Sequence, residues 1–257
     1  TVGGRAARRV ALLARLPHLA LDPGAALVSG VAPALATGAT LDGGDAAPPD
    51  WTDCVGAPDP RDAARLPPGV SPTGDGTILG ALREDASALD ADAYRRFAET
   101  DWGMLTARAD VRVEAGGALT PLPAAVGGHA CAPGTWGEPW RGAGAVGPCT
   151  VRLPVIHVRG EGRTTLRAPA RWQGVLLVDG DLVVEGQVEG VGLVVVQGRV
   201  DATAGALLLH GALLARQGVL LGPGSRVVRS RCALERAARA AGKPIAYGRR
   251  AWLDVTP

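Results

Sequence analysis

Glycine recurs at intervals of six or seven residues from residue 174 to residue 224, and most intervals hold a short aliphatic run, such as Val175 to Val178. Glycine reaches positive φ without a Cβ penalty, whereas Val and Leu favour pleated, buried strands. The pattern predicts short strands joined by tight glycine turns and stacked as a parallel β-solenoid. The glycines are Gly174, Gly180, Gly186, Gly192, Gly198, Gly205, Gly211, Gly218 and Gly224.

The aliphatic runs are continuous and do not alternate with polar residues. Val175 to Val178 is apolar at every position, which is typical of strands covered on both faces. We expect the second cover to come from the rest of the chain or from a partner. Of the nine residues that precede the glycines, only Val191 is strongly aliphatic. In the left-handed hexapeptide type an aliphatic residue regularly precedes the glycine, so this sequence favours a right-handed or irregular coil.

The repeat divides the chain into three predicted parts within a mainly β fold. Residues 1–150 are predicted to be a mixed α/β, loop-rich region stapled by disulfides, and residues 151–229 the β-solenoid. Residues 230–257 are predicted to be a capping helix and strand. That helix is expected from Ser230 to Ala241, with Ser230 as its N-cap and Gly242 as its stop.

A second helix is predicted in the first part, from Glu84 to Glu99. Three apolar side chains at helical spacing are expected on its buried side, and Asp90 or Asp92 is expected to cap its second half. The three apolar residues are Leu89, Tyr94 and Phe97.

Composition excludes several classes of protein. The hydrophobic content of 47% is enough for a core, and 27 basic residues balance 25 acidic ones, which argues against a nucleic-acid binder. No stretch approaches the roughly 18 consecutive apolar residues of a membrane span.

The sequence opens at Thr1 without an initiator Met. We therefore expect an upstream segment, either a signal peptide or a membrane anchor.

Four cysteines without CxxC or His pairing predict disulfides and no zinc site. Cys131 and Cys149 bracket a loop rich in Gly and Pro, so we pair them, which leaves Cys54 with Cys232. Two disulfides would place the protein outside the cytosol. The alternative is four free, buried thiols.

Catalytic signatures are weak. The four histidines form no metal-binding motif, and the chain has no nucleophile elbow and no phosphate-binding loop in a usable context. No cofactor is predicted. The repeat carries acids that either line an outer catalytic face, as in solenoid glycosidases and lyases, or form ordinary polar turns. These acids are Asp179, Asp181, Glu185, Glu189 and Asp201.

Four acids crowd one loop of the first part and offer hard oxygen ligands for calcium. Asp-Gly turns without metal are the alternative interpretation. The acids are Asp42, Asp45, Asp50 and Asp53.

Six tryptophans accompany only one Phe and two Tyr. Trp136 and Trp140 have two interpretations: they form a surface platform that binds a sugar or a protein partner, or they pack beneath the disulfide. Together with Trp172, they are the predicted partner-binding residues.

Several motifs follow one another along residues 40–257. They are Trp51-Thr52-Asp53-Cys54, Cys131, Trp136-Gly137-Glu138-Pro139, Cys149, Gly174 to Leu182, Gly205-Ala206-Leu207-Leu208, Ser230-Arg231-Cys232 and Trp252. In this order the motifs resemble the exported regions of PilX-type pilus-assembly proteins. The glycine-strand stretch is also similar to the polymer-forming coils of bactofilins. The resemblance implies an envelope protein with an N-terminal pilin-like membrane helix and no catalytic residues.

The sequence and the resemblance together predict a non-catalytic structural or assembly subunit of the bacterial cell envelope. It would be periplasmic or extracellular, and its partners would be pilus subunits or a larger membrane complex. The alternatives are a carbohydrate-active β-helix enzyme, which needs a converged carboxylate pair, and a calcium-stabilised adhesin.

Overall fold

The protein is mainly β, and its large parallel sheet curls into a half-barrel. Its structure, a computed structural model, describes residues 9–12, 14–15, 19–49, 51, 54, 62–119, 121, 134–138, 152–242, 245–246 and 252–255.

Strands account for most of the described elements. They are β1 Arg9–Leu12, β2 Ala14–Arg15, β3 Ala25–Ser29, β4 Ala34–Leu35, β5 Thr40–Asp42, β6 Asp62–Leu66, β7 Thr77–Leu79, β8 Ala81–Glu84, β9 Arg96–Phe97, β10 Thr100–Asp101, β11 Val111–Glu114, β12 Ala118–Leu119, β13 Val155–Arg159, β14 Arg163–Arg167, β15 Ala170–Val178, β16 Asp181–Val196, β17 Val200–Ala202, β18 Gly205–Ala215, β19 Val219–Leu221, β20 Arg226–Arg229, β21 Ile245–Ala246 and β22 Trp252–Val255. The helices are α1 Trp102–Ala107 and α2 Arg231–Ala241, with 3-10 turns at Ala86–Leu89 and Ala91–Tyr94.

Most of the strands stack in parallel along three ladders, and three antiparallel pairs lie outside them: β1 with β22, β2 with β21 and β9 with β10. The longest ladder runs β11, β13, β15, β16, β18, β3, β6 and β8. A second ladder joins β12, β14, β16, β17, β19 and β4. The third joins β15, β16, β18, β20, β5 and β7. Because β15, β16 and β18 each contribute to more than one strand stack, the sheet must bend within these strands.

Stacked glycines lie where the long strands bend. Gly174 pairs with Gly192, and Gly192 pairs with Gly211. All three have positive φ, and a Cβ on Gly192 would overlap the carbonyl oxygen of Gly174. These glycines were predicted in turns between strands, but they form a column inside continuous strands, where no side chain fits.

The N-terminal strands belong to the same sheet as the glycine repeat. Leu213 of β18 pairs with Leu27 of β3, and Val228 of β20 pairs with Asp42 of β5. In space, β3 to β8 therefore follow β18 to β20, although they precede them in sequence. Hydrogen bonding crosses the predicted boundary at residue 150, and the three-part division stays a prediction.

Both faces of the central strands are covered, as expected from their continuous aliphatic runs. Leu176 and Val178 point into the curled sheet and pack in one hydrophobic cluster. Val175 and Leu177 point outward into a second cluster. The outer cover comes from the chain itself, mainly from α2 and from residues 86–107, whose apolar side chains are Tyr94, Phe97, Leu105, Leu234 and Ala237.

The helix predicted from Glu84 to Glu99 is wrong. The segment forms two 3-10 turns, because Asp85 accepts a hydrogen bond from the Ser87 amide and Asp90 accepts one from the Asp92 amide. Two of the three predicted buried residues, Tyr94 and Phe97, are buried, but Leu89 is 67% exposed.

The C-terminal helix is confirmed from Arg231 to Ala241, with Gly242 as its C-cap. Ser230 occupies the N-cap position, but its hydroxyl makes no capping hydrogen bond. Instead, Asp45 accepts a hydrogen bond of 2.8 Å from the Arg231 amide. A distant carboxylate therefore satisfies one of the free amides at the start of α2.

Candidate functional site

One predicted disulfide is present. Cys54 and Cys232 are bonded, with 5.8 Å between their Cα atoms, and the bond joins two residues 178 positions apart. The other predicted pair, Cys131 and Cys149, lies outside the described residues. The predicted pairing of Cys54 with Cys232 is therefore confirmed.

The disulfide fastens a loop segment to α2. We call this segment the strap: residues 45–49 with Trp51 and Cys54. Besides the disulfide and the Asp45 cap, the ring of Trp51 lies under the guanidinium of Arg236, 4.8 Å from ring centre to Cζ. Three different interactions therefore hold the strap along one helix.

The predicted partner-binding tryptophans do not form a surface platform in the described structure. Trp136 is buried, and Trp172 is fully buried at 0% exposure in the inner hydrophobic cluster. Trp172 points inward because it aligns with Leu209 and Val227 on the same ladder, and it lies against Gly190. Both rings therefore serve as packing, which was the alternative stated for Trp136, and this corrects the prediction that Trp136 and Trp172 are partner-binding residues. Trp140 lies outside the described residues.

The acids of the repeat each bind their own neighbours. Asp179 accepts a hydrogen bond from the Gly160 amide and lies 3.1 Å from His157 Nε2. Asp181 accepts a hydrogen bond from the Arg199 amide, and Asp201 accepts one from the Thr203 amide. Glu185 forms an ion pair with Arg167, and Glu189 forms one with Arg171. These interactions fit the interpretation as polar turns and inter-strand ion pairs.

Two of the four acids proposed for calcium lie in the described structure. Asp42 accepts a hydrogen bond from the Gly44 amide, and Asp45 caps α2. Asp50 and Asp53 lie outside it. Within the described ranges, no cluster of three or more His, Cys, Asp or Glu side chains has the geometry to hold a metal.

A groove of about 450 Å³ lies on the outer side of the third ladder. We call it the arginine groove; its lining residues are Pro49, Arg171, Glu189, Leu208, His210 and Arg226. The strap contributes Pro49, and successive strands contribute the rest, since Glu189 pairs with Leu208 and Leu208 with Arg226.

The arginine groove was missed by sequence reasoning. Its residues are separated by 18 or 19 positions in the chain, as Arg171, Glu189 and Leu208 show. The only sequence feature that these residues share is this spacing of 18 or 19 positions, which separates paired residues on neighbouring strands. Alignment of the repeat at this spacing, instead of at the six- or seven-residue glycine spacing, would have placed them side by side.

Burial and the nearby Arg226 guanidinium lower the pKa of His210 from 6.5 to about 4. Its imidazole is therefore neutral at physiological pH. Glu189 lies 3.1 Å from Arg171, while the ion pair between Arg226 and Asp42 is long, at 3.8 Å.

The parallel sheet ends in two strands that we call the open end, β7 and β8. Among the described residues, β7 pairs only with β5, and β8 pairs only with β6. Leu79 and Leu82 are each 48% exposed there. An edge strand with free backbone groups and half-exposed leucines is a ready surface for another protein chain.

Comparison of the chain with protein-family models, curated proteins and solved structures gives no match. The resemblance to PilX-type proteins and to bactofilin coils therefore stays a prediction. Within the part of the chain that the structure describes, no helix has the length and apolar character needed to cross a membrane.

Proposed function

We propose that this protein is a non-catalytic structural subunit of a bacterial cell-envelope assembly, either associated with a pilus or docked on a larger membrane complex. Its partner binds the open end of the sheet. The observation that carries the proposal is the pair of half-exposed leucines, Leu79 and Leu82, on strands whose outer edge has no partner among the described residues.

The stacked ladders support a scaffold role. In the finer interpretation, the three ladders are the faces of a parallel β-solenoid, with one coil for every 18 to 20 residues of the repeat. Ile156, Leu176, Val194 and Leu213 are successive partners on one ladder. Such a stack is rigid and presents fixed ends, which suits a subunit that spaces other proteins.

A partner at the open end would add backbone hydrogen bonds and bury apolar surface. β8 is exposed at all four residues, and it is held in place by its ladder with β6, to which the 3.2 Å ion pair between Arg83 and Asp62 adds. An extended strand added to a fixed edge gains affinity from main-chain hydrogen bonds, while the side-chain contacts give specificity.

The disulfide between Cys54 and Cys232 supports an exported location. We propose a periplasmic or extracellular protein.

The proposal is tested by affinity isolation of the full-length protein from the membranes of its source, with quantitative mass spectrometry of the proteins that accompany it. The wild type is compared with a Leu79→Ser/Leu82→Ser double variant. We expect a defined set of envelope proteins with the wild type and at least a tenfold loss of that set with the double variant, because about 1.4 kcal/mol of lost apolar burial already corresponds to tenfold.

Val31→Ser is the matched control, since Val31 is 50% exposed but follows β3, which lies inside the stack. The control is expected to retain the same accompanying proteins. Equal recovery from all three forms would remove the open end as the docking surface. An isolated wild type with no envelope proteins would overturn the structural role.

A further inference from the structure

We propose that the arginine groove binds the carboxylate of a short acidic peptide segment, with Arg226 as its charged partner and Leu208 and Pro49 as its apolar contacts. This is a second site, and it does not rest on docking at the open end. The groove and the open end lie on different strands: Leu208 is in β18, whereas the leucines of the open end are in β7 and β8.

Arg226 is the least compensated charge of the groove, and it favours an anion. Arg171 is opposed by Glu189 at 3.1 Å and by Glu138 at 3.8 Å, so it has no positive charge to spare for a ligand. Arg226 is opposed by Asp42 at 3.8 Å, and Asp42 also accepts a hydrogen bond from the Gly44 amide. The Arg226 side chain is 57% exposed, so its guanidinium can present two parallel N–H donors to an incoming carboxylate.

The lining of the groove favours a peptide over a sugar acid. Leu208 and Pro49 supply aliphatic surface, and the described lining contains no aromatic ring on which the face of a sugar could stack. The volume of about 450 Å³ falls within the range of small-ligand sites, which is about 300–1,000 Å³. A few residues of extended chain with one carboxylate match this size and chemistry.

His210 reports on occupancy of the groove. Its neutral imidazole lies near Arg226, which lowers the His210 pKa. A carboxylate held between them would offset the Arg226 charge and raise that pKa. The charged groups that line the groove around His210 are Arg171, Glu189 and Arg226. Glu138 lies behind Arg171, and Asp42 lies behind Arg226.

The test is NMR titration of the ¹⁵N-histidine-labelled protein with the peptide acetyl-Ala-Leu-Asp-amide. The His210 signal is assigned with a His210→Gln variant. We expect a saturable shift of that signal and a rise in the His210 pKa in the bound state. The same peptide with Asn in place of Asp is expected to bind at least about tenfold more weakly, as is the Arg226→Gln variant with the original peptide.

Arg163→Gln is the matched control, because Arg163 is an exposed arginine of β14 on another ladder. It is expected to bind like the wild type. The absence of a saturable shift, or equal binding by Arg226→Gln, would overturn the proposal. Tighter binding of glucuronate than of the peptide would replace the peptide with a sugar acid, and equal binding of inorganic phosphate would reduce the site to a nonspecific anion patch.

Discussion

Gly192 lies at the centre of a column of three glycines that lets the sheet bend. Its φ of +120° is disfavoured for any residue with a side chain, and the strand on one side leaves no room for a Cβ. The sequence spacing predicted that glycine is needed in the repeat. It did not predict that glycines of neighbouring strands contact one another, because this contact depends on the register of the ladders.

Gly192→Ala is expected to lower the free energy of unfolding by at least about 3 kcal/mol or to prevent folding, because strain at positive φ adds to steric overlap with Gly174. The measurement is urea unfolding followed by circular dichroism. Gly117→Ala is the control, since a Cβ there meets nothing within 4 Å, and its effect is expected to stay within about 0.5 kcal/mol. Similar losses in both variants would contradict the stacked column.

Arg229 and Asp22 form a bidentate ion pair that ties β20 to the N-terminal segment. Arg229 is buried, and its Nη2 and Nε lie 2.5 and 3.3 Å from the Asp22 oxygens. Asp22→Ala is expected to cost about 3 kcal/mol in unfolding free energy, because it leaves a buried charge without its carboxylate.

The control for this ion pair is Asp92→Ala, which removes the exposed pair with Arg96. Its cost is expected to be below about 1 kcal/mol, since exposed ion pairs contribute little. If the two variants lose the same stability in urea titrations, the Arg229 pair does not hold the N-terminal segment to the sheet.

His210 gives the protein a specific response to acid. Its pKa is about 4 in the folded state and 6.5 in the unfolded state, so between these values the unfolded state binds more protons. Stability is therefore expected to fall as the pH drops from about 6.5 to about 4. His210→Gln should flatten this slope in unfolding measurements across that range; an unchanged slope would show that His210 is accessible to protons in the fold.

Among the elements, α2 shows what local sequence can determine. Ser230 to Gly242 was predicted with correct ends, because the spacing of its apolar residues and its glycine stop are local signals. Its cap was not predictable, since Asp45 comes from a loop 186 residues away. The segment after Glu84 fails for a related reason: Asp85 and Asp90 turn the chain twice, and their local hydrogen bonds compete with a continuous helix.

The strap depends on its disulfide. Removal of this bond in a Cys54→Ser/Cys232→Ser variant is expected to lower the unfolding free energy by about 2–5 kcal/mol, as for native disulfides that close long loops. Limited proteolysis is expected to cut the variant first within residues 43–61. Identical urea midpoints and cleavage patterns for variant and wild type would show that the Asp45 cap and the Trp51 contact suffice to hold the strap.

At the scale of the whole molecule, the sequence predicted a mainly β chain with a stacked repeat, but it did not predict where the repeat ends. The strands from β15 to β20 cover the glycine repeat in nearly consecutive order. β3 to β8 extend the same ladders without that signal, and their partners lie far away in sequence, as in Leu27 with Leu213. Strand pairs so distant in sequence depend on how hydrophobic side chains pack across the whole fold, and local sequence patterns do not predict this packing.

Neither the arginine groove nor the open end has a contiguous motif. Most groove residues lie on neighbouring strands of the repeat, 18 or 19 positions apart, whereas the open end comes from strands placed by the long-range pairing. The unusual tryptophan content led to the prediction of partner-binding residues, with packing as the alternative for Trp136. Trp136 and Trp172 both lie in the interior, so composition alone did not distinguish the two roles.

Hydrogen–deuterium exchange of the intact protein tests most directly whether the chain forms one continuous stack that ends at an open edge. The account predicts that the amides of residues 25–29 exchange as slowly as those of residues 205–215, because β3 and β18 share a ladder, while residues 77–84 exchange fastest among the stacked strands. Rapid exchange throughout residues 25–84, beside a protected repeat, would contradict the account and would indicate a separate N-terminal unit.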